Sequence, residues 1–431
     1  MTVDPMVLYL LLMLAIWTTY LLLRHRRQQQ ARKRLQQSLA SGLSQPASLH
    51  PVINTSLCIG CGSCISACPE QNVLGLIRDK AKLVNPSNCI GHGACRTACP
   101  MHAISLVFGT AERGVDIPLL SSTFETSVPG IYIAGELGGM GLIRNAVEQG
   151  RQAMEAIARA GRNDQPVDVM IIGSGPAGIA ATLAASQLGL RYLTIEQDSL
   201  GGTVAHFPRG KVVMTAPVTL PVVGKMNFRE VSKEKLLEFW QDVIDRSNIG
   251  IRFNERVEAI RQTGNGFEVT TSRGNHLVSS VLLAIGRRGT PRKLGVPGED
   301  AGKVVYRLTD PEQYRGMHML VVGGGDSAIE AAADLAGQPG TTVTLSYRSE
   351  AFSRVKEKNR GRIDALARAN QLTLLLSSNV TVIREHEVDL TLQGESVTLR
   401  NDAVIVCAGG VLPTPFLKAT GIEVETKYGT A

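Results

Sequence analysis

The chain opens on Met6–Leu23, eighteen uncharged and mostly apolar residues in a row, and turns basic and polar from Arg24 onward. A run of that length predicts a helix at the lower limit of what crosses a bilayer. Gln28–Pro46 then reads as a polar spacer, helical at its start and looser by Ser44–Pro46. Further along the pattern shortens. Brief apolar runs end in glycine and lead into alanine-rich stretches of helical length: Asp168–Ile172 into Gly173, and Met319–Val322 into Gly323. Other apolar strands follow at Tyr192–Ile195 and Thr342–Ser346. Short buried strands alternating with helices predict an α/β fold with two parallel-sheet domains.

Composition narrows the class. Of 431 residues, 44% are hydrophobic and 19% charged, which excludes global disorder. The length suits two or three domains. Glycine is abundant at 44 residues and aromatics are scarce at 4%, a mix that fits glycine-turn nucleotide folds rather than an aromatic-lined nucleic-acid surface. The net charge of +7 is mostly local: Met1–Arg34 holds six basic residues and one Asp. The remaining chain is nearly neutral, so no nucleic-acid partner is expected. Basic residues directly after the apolar run place the bulk of the protein on the cytoplasmic side of the inner membrane, with the lipid bilayer as a partner of the first helix. A cleaved signal peptide would carry its basic residues before the run, where only Asp4 stands.

Seven of the eight cysteines lie between Cys58 and Cys99. CIGCGSCISACP places Cys58, Cys61, Cys64 and Cys68 in the C-x2-C-x2-C-x3-C-P run of iron–sulfur proteins. CIGHGACRTACP repeats it with Cys89, Cys95 and Cys99, and His92 in place of the second cysteine. Structural zinc prefers other spacings, and disulfides do not suit a cytosolic domain. The segment about Ile53–Val107 resembles the two-cluster bacterial ferredoxin. That resemblance implies an α+β ferredoxin domain in which one 4Fe–4S cluster takes Cys58, Cys61, Cys64 and Cys99. The other takes Cys68, Cys89 and Cys95. His92 either ligates iron, giving a second 4Fe–4S cluster, or stands aside and leaves a 3Fe–4S cluster.

Gly173, Gly175 and Gly178 form G-x-G-x-x-G after a strand, and Glu196 ends the next strand 23 residues beyond the first glycine. Such a turn lets a pyrophosphate approach the helix N-terminus while the acid accepts from ribose hydroxyls. A second copy has Gly323, Gly325 and, at the third position, Ala328. Its following strand ends in Tyr347-Arg348 with Arg354 and Lys356 close behind, a basic setting that suits the 2′-phosphate of NADPH, with NADH the alternative and a solvated basic loop the plainer reading. Two such motifs about 150 residues apart, with AIGRRGTP at Ala284–Pro291 and CAGG at Cys407–Gly410, resemble the thioredoxin-reductase-like flavoproteins over about 112–431. The resemblance implies FAD at the first motif, with Gly202 and Thr203 near the flavin, and a homodimer.

Two departures shape the expected function. The stretch before the second glycine motif, Val305–Pro311, holds no cysteine, and Cys407 is the only cysteine outside the ferredoxin segment. Dithiol relay is therefore excluded, as in the ferredoxin–NADP reductase and bacillithiol-disulfide-reductase-like branches. Nor does the chain end with the strand and helix that close the FAD domain in this family. A matching piece stands upstream, TSVPGIYIAGE with Gly135 and Glu136, followed by a helix from about Leu142 to Arg159; this implies a circular permutation. The expected organisation is an anchor at 1–23, a linker at 24–50 and a ferredoxin domain at 51–108. The permuted FAD piece follows at 112–160, then the FAD domain at 166–292, the NAD(P)H domain at 293–385 and a return to the FAD domain at 386–431. The expected function is a membrane-anchored oxidoreductase that passes electrons between NADPH, FAD and the two clusters to an electron-transfer protein or membrane redox carrier. Its rivals are a small-molecule disulfide reductase, tested at His206–Lys211, and a redox sensor.

Overall fold

The computed structural model describes the chain except for residues 1–4, 41–45, 47–48, 71, 112–113, 140, 162, 215–216, 288, 353–354 and 430–431. It divides into two compact units. One comprises Met1–Gly114 with Glu350–Arg362 and Tyr428–Ala431; the other comprises Val115–Ser349 and Ile363–Lys427.

In the first unit, α1 (Pro5–Ala40) is one unbroken helix. Among the described residues, no helix is long and apolar enough to cross a membrane. The transmembrane anchor expected over Met6–Leu23 is not found among them. The helix carries the whole uncharged run Met6–Leu23, about 27 Å long against a hydrocarbon core of about 30 Å, and Arg24 follows at once. Leu10, Leu14, Trp17 and Leu22 are all exposed. Helix continues into the spacer as far as Ala40, while Ser44 lies outside the described residues. Its second half is held by the ferredoxin fold. Ala31 is buried with Ile77 and Val84, and a Cβ on Gly75 would come within 2.7 Å of Ala31 Cβ. Asp79 accepts from Arg24 Nε (3.1 Å) and Gln28 Nε2 (2.6 Å).

The ferredoxin fold pairs β1 (His50–Ile53) antiparallel with β4 (Ile104–Val107), and β2 (Leu74–Ile77) with β3 (Lys80–Leu83). Arg78 and Asp79 take φ of 53° and 57° at the hairpin turn, the left-handed pair that suits strand twist. Two one-turn helices, α2 (Ser63–Ser66) and α3 (Ala94–Thr97), each start after a left-handed glycine, Gly62 at φ 80° and Gly93 at φ 82°. The two cysteine motifs thus share one backbone path.

The second unit is the α/β part. After β5 (Val115–Pro118) come β6 (Ile131–Ile133), α4 (Ile143–Ala160), β7 (Val167–Ile172), α5 (Pro176–Gln187) and β8 (Tyr192–Ile195). A parallel core joins Ile251–Arg252, β8, β7 and Gly274–Leu283; two antiparallel strands, Gly266–Thr271 and Val257–Thr263, extend it. The upstream piece enters this same sheet: β6 pairs parallel with the end of Gly274–Leu283, Ile131 opposite Val281 and Ile133 opposite Leu283. β5 pairs with Val424–Lys427 near the far end of the chain. Helix α4 lies against α5, and a Cβ on Gly150 would run into the carbonyl of Ala177. Glycine inside a helix costs about 1 kcal/mol relative to alanine; here it lets the two helices meet. A second parallel sheet orders Val304–Val305, Ala403–Val406, His318–Val322, Thr342–Tyr347 and Thr373–Leu376. The fold class is thus α/β with two dinucleotide-type sheets plus an α+β ferredoxin domain.

Candidate redox centres

In the ferredoxin domain Cys58, Cys61, Cys64 and Cys99 line one cavity with Ile59 and Met101. The first three come from a single loop because Gly60 (φ 73°) and Gly62 (φ 80°) turn the backbone back on itself. A Cβ at Gly60 would strike the carbonyl of Asp79. Cys99 enters from the other motif, and its Sγ accepts from Ala103 N–H at 3.3 Å. Cys58 Sγ likewise accepts from Ala81 N–H at 3.4 Å. Burial pushes the Cys64 thiol up to about 11, helped by Cys58 and Cys61. Cys61, exposed beside the Ser63 hydroxyl, is held below the ordinary thiol value by that hydrogen bond. Four sulfurs around one cavity, with backbone N–H groups on two of them, are the donor set a 4Fe–4S cluster requires, so the residues fit that group.

Cys68, Cys89 and Cys95 form the second group. Burial raises the Cys89 thiol to about 11, with the charges of Cys95 and Cys68 adding to it. Burial raises Cys95 as well, and Cys68, with Cys95 contributing. His92, three residues before Cys95, is half-buried, and desolvation lowers its pKa against the charge of Glu70. Thiols disfavoured as thiolates by burial suit iron, which supplies the compensating positive charge. Among the described residues, no three His, Cys, Asp or Glu side chains are set to hold a single metal ion.

In the second unit, β7 runs into the first glycine loop. Gly173 has φ 109°, and a Cβ there would come within 2.5 Å of the Ala284 carbonyl; a Cβ at Gly178 would collide with the Gly173 carbonyl. Gly175, by contrast, faces open space, and as N-cap of α5 it has no side-chain cap. The helix start is left free for a phosphate. Glu196 is 8% exposed; its Oε2 accepts from Ser174 N–H (2.7 Å) and Oγ (3.2 Å), and its Oε1 from Asp198 N–H (3.0 Å). Those bonds fix the carboxylate at the mouth of the loop. Gly202 folds back onto the loop, with a Cβ there 3.2 Å from Gly175 Cα, and Thr203 Oγ1 lies near Gly286. Gly135 (φ 90°) ends β6 and donates its N–H to Gln149 Oε1 at 2.8 Å. Glu136 follows in a 3-10 turn. The open Gly175 cradle and its uncapped helix fit FAD.

Several partners here lay beyond the sequence pattern. Arg287 Nη2 donates to Asp116 O at 2.9 Å. Burial lowers its pKa, partly offset by Glu136 and Asp116. No local motif joins residues 116, 136 and 287.

The second loop repeats the plan. A Cβ at Gly323 (φ 149°) would come within 2.4 Å of the Cys407 carbonyl region, Gly325 is open and uncapped, and buried Ala328 fills the third-glycine position. The ring of Tyr347 lies directly over Gly324, where a Cβ would overlap it; the sequence gives no sign of this beyond the aromatic at the strand end. Arg348 is exposed just after Thr342–Tyr347. Arg354 lies outside the described residues, and Lys356 falls in the segment grouped with the ferredoxin unit, where Glu357 accepts from Asn85 Nδ2 at 3.0 Å. The stretch His206–Lys211 is committed to polar partners: His206 accepts at Nδ1 from Arg307 and meets Asp198 through Nε2 at 3.2 Å, while Arg209 pairs with Asp310 and Lys211 with Glu330 at 2.7 Å.

Two glycine loops at the ends of parallel strands, a carboxylate fixed beside the first, and a separate thiol-lined ferredoxin fold define a two-dinucleotide redox flavoprotein fused to an iron–sulfur domain. Comparison with known proteins makes this specific. Residues 170–430 match the model of the pyridine nucleotide-disulphide oxidoreductases, and residues 50–100 that of the 4Fe-4S dicluster domain. The chain belongs to the pyridine nucleotide-disulphide oxidoreductase family. It is similar to the bacilliredoxin reductase of Bacillus subtilis, 28% identical over 267 residues that cover 60% of this chain and 82% of that protein. It is also similar to a ferredoxin–NADP reductase of Ignicoccus hospitalis, 31% identical over 43% of this chain and 57% of that reductase. Among solved structures, the bacillithiol disulfide reductase of Staphylococcus aureus superposes with a TM-score of 0.53 at 26% identity, over 60% of this chain and 81% of that one. The protein is an NAD(P)H-dependent flavin oxidoreductase of the ferredoxin–NADP or thioredoxin reductase type with a 4Fe–4S domain.

Proposed function

We propose that this oxidoreductase passes electrons between NADPH, FAD and two ferredoxin-type clusters, and from there to a redox partner at the cytoplasmic face of the membrane. One observation carries the reading. The flavoprotein unit holds a single cysteine, Cys407, in the segment whose carbonyl backs Gly323, while six thiols converge in the ferredoxin domain around two centres and a seventh completes them. With no dithiol to relay electrons, the iron–sulfur domain is the exit. A bound flavin can take a hydride and give single electrons, which is what joins nicotinamide to cluster chemistry.

The chain's own groups then divide the work. The Gly173–Gly178 loop and the start of α5 receive the FAD pyrophosphate, and Glu196 accepts from its ribose. The Gly323–Ala328 loop receives NADPH, with Arg348 toward the 2′-phosphate. The cysteines hold iron. Membrane residence is supported by the exposed apolar residues Leu10–Leu23 followed by exposed Arg26 and Arg27.

Electron paramagnetic resonance of the anaerobic full-length protein, with and without NADPH, tests the path. Reduced-cluster signals that grow on NADPH addition are expected. Bleached flavin beside clusters that stay oxidised, although dithionite reduces them, would sink it. Similarity to the bacilliredoxin reductase favours a second reading, direct reduction of a disulfide at the flavin. That reading requires NADPH-driven disulfide turnover that survives loss of the clusters.

A further inference from the structure

His92 occupies the corner at which the first motif has Cys61, and the two loops share their backbone turns: Gly60 and Gly91 at φ 73° and 77°, Gly62 and Gly93 at 80° and 82°. What surrounds the two side chains differs. Cys61 is exposed and its sulfur meets the hydroxyl of Ser63. At the equivalent place after His92 stands Ala94, which has no hydroxyl. Its backbone N–H, at the first position of α3, donates to His92 Nδ1 at 3.1 Å. A neutral imidazole has one lone-pair nitrogen and one N–H, and a nitrogen that accepts a hydrogen bond is the lone-pair one. The proton therefore sits on Nε2. That atom is buried and has no hydrogen-bond partner in the protein.

A protonated Nε2 cannot bind iron, and a buried N–H requires an acceptor. Sulfur is the acceptor chemistry of this pocket, since Cys68, Cys89 and Cys95 belong to the same buried group as the rest of the domain's thiols. The geometry points to His92 as a donor rather than a ligand: its Nε2–H bonds to a sulfur of a cluster that Cys68, Cys89 and Cys95 hold alone, and that cluster carries three irons. The inference rests on the reading that the domain binds two clusters. An N–H aimed at cluster sulfur favours the more negative, reduced state, so His92 acts as a positioning and tuning group that raises the potential of the second centre.

The test uses anaerobic full-length protein labelled with 15N-histidine. The expected result is about seven irons per chain, the signal of an oxidised three-iron cluster, and only the weak nitrogen coupling of a hydrogen bond. H92C should convert the centre to a four-iron cluster and abolish the three-iron signal. H92A should keep that signal but move its midpoint potential downward; an unmoved potential would overturn the donor role. About eight irons with the strong nitrogen coupling of a bound imidazole would overturn the proposal while leaving two clusters in place. About eight without such coupling would also overturn it and move the fourth ligand to Glu70, whose charge His92 feels. About four irons would remove the two-cluster reading itself, and the proposal with it.

Discussion

Gly175 and Gly178 stand three residues apart in one turn, yet a methyl group would meet opposite surroundings at the two positions. At Gly178 it collides with the Gly173 carbonyl; at Gly175 it finds nothing within 4 Å. G175A should therefore fold normally and lose bound FAD, because the added carbon fills only the space reserved for the pyrophosphate. G178A should fail earlier, with a lowered melting temperature in the apoprotein. Equal flavin content in G175A and wild type would refute the assignment of that space. Glu299 poses a different residue-level question. Its buried carboxylate accepts from Leu294 N–H (2.6 Å), Gly295 N–H (2.7 Å) and Tyr306 OH (3.0 Å). Burial alone would raise its pKa, but those hydrogen bonds outweigh it and the value falls below the usual range. A depressed pKa contributes stability that is present above the unfolded value and lost as pH falls through the folded one. E299Q should lower stability by about 1–3 kcal/mol at neutral pH, and denaturant melts at pH 7 and pH 3.5 should show the gap from wild type shrinking in acid. The cysteines, glycines and Glu196 were legible because their chemistry needs fixed local spacing. The Arg287–Asp116 bond and the Tyr347 ring over Gly324 were not, because they join residues through the fold.

At the scale of elements, the upstream strand and helix were readable in advance. The Pro129-Gly130 turn and the glycine at 135 bound β6, and α4 spans Ile143–Ala160 against an expectation of about Leu142 to Arg159. Its place in the sheet follows from parallel pairing with Val281–Leu283. The end of the first helix at Ala40 was not legible, for a physical reason. A local apolar run carries no information about where the helix stops or what the following turns pack on. What extends α1 is distant: Ala31 on Gly75, and Arg24 and Gln28 on the Asp79 turn. A31L places a larger side chain where only 2.7 Å separates Ala31 Cβ from a Cβ at position 75. Overpacking of this kind costs about 1–3 kcal/mol. Hydrogen exchange along residues 24–40 should rise in A31L while the FAD-binding unit keeps its protection; unchanged exchange would mean that this contact does not hold the helix.

Across the whole molecule, charge and apolar surface are both concentrated at one end. Six of the basic residues precede residue 35, and with Asp4 they account for most of the net +7. The exposed apolar side chains of α1 lie immediately before them. An exposed apolar helix face can bury its side chains in the boundary between headgroups and acyl chains, and neighbouring arginines add attraction to anionic lipid. Those two contributions respond differently to salt. Electrostatic attraction is screened as the Debye length falls from about 10 Å at 0.1 M to about 3 Å at 1 M, whereas apolar burial is not. In flotation with vesicles containing phosphatidylglycerol, the full-length protein should rise with the lipid at low salt and lose part, not all, of that binding at 1 M salt. L14E should remove the salt-resistant fraction, and R26E/R27E the salt-sensitive one, with flavin content unchanged in both. Complete release at high salt would make the attachment purely electrostatic and leave the apolar face of α1 without a role at the membrane. No flotation at low salt would move the electron acceptor off the membrane altogether, while leaving the nicotinamide-to-cluster path to stand on its own spectroscopic test.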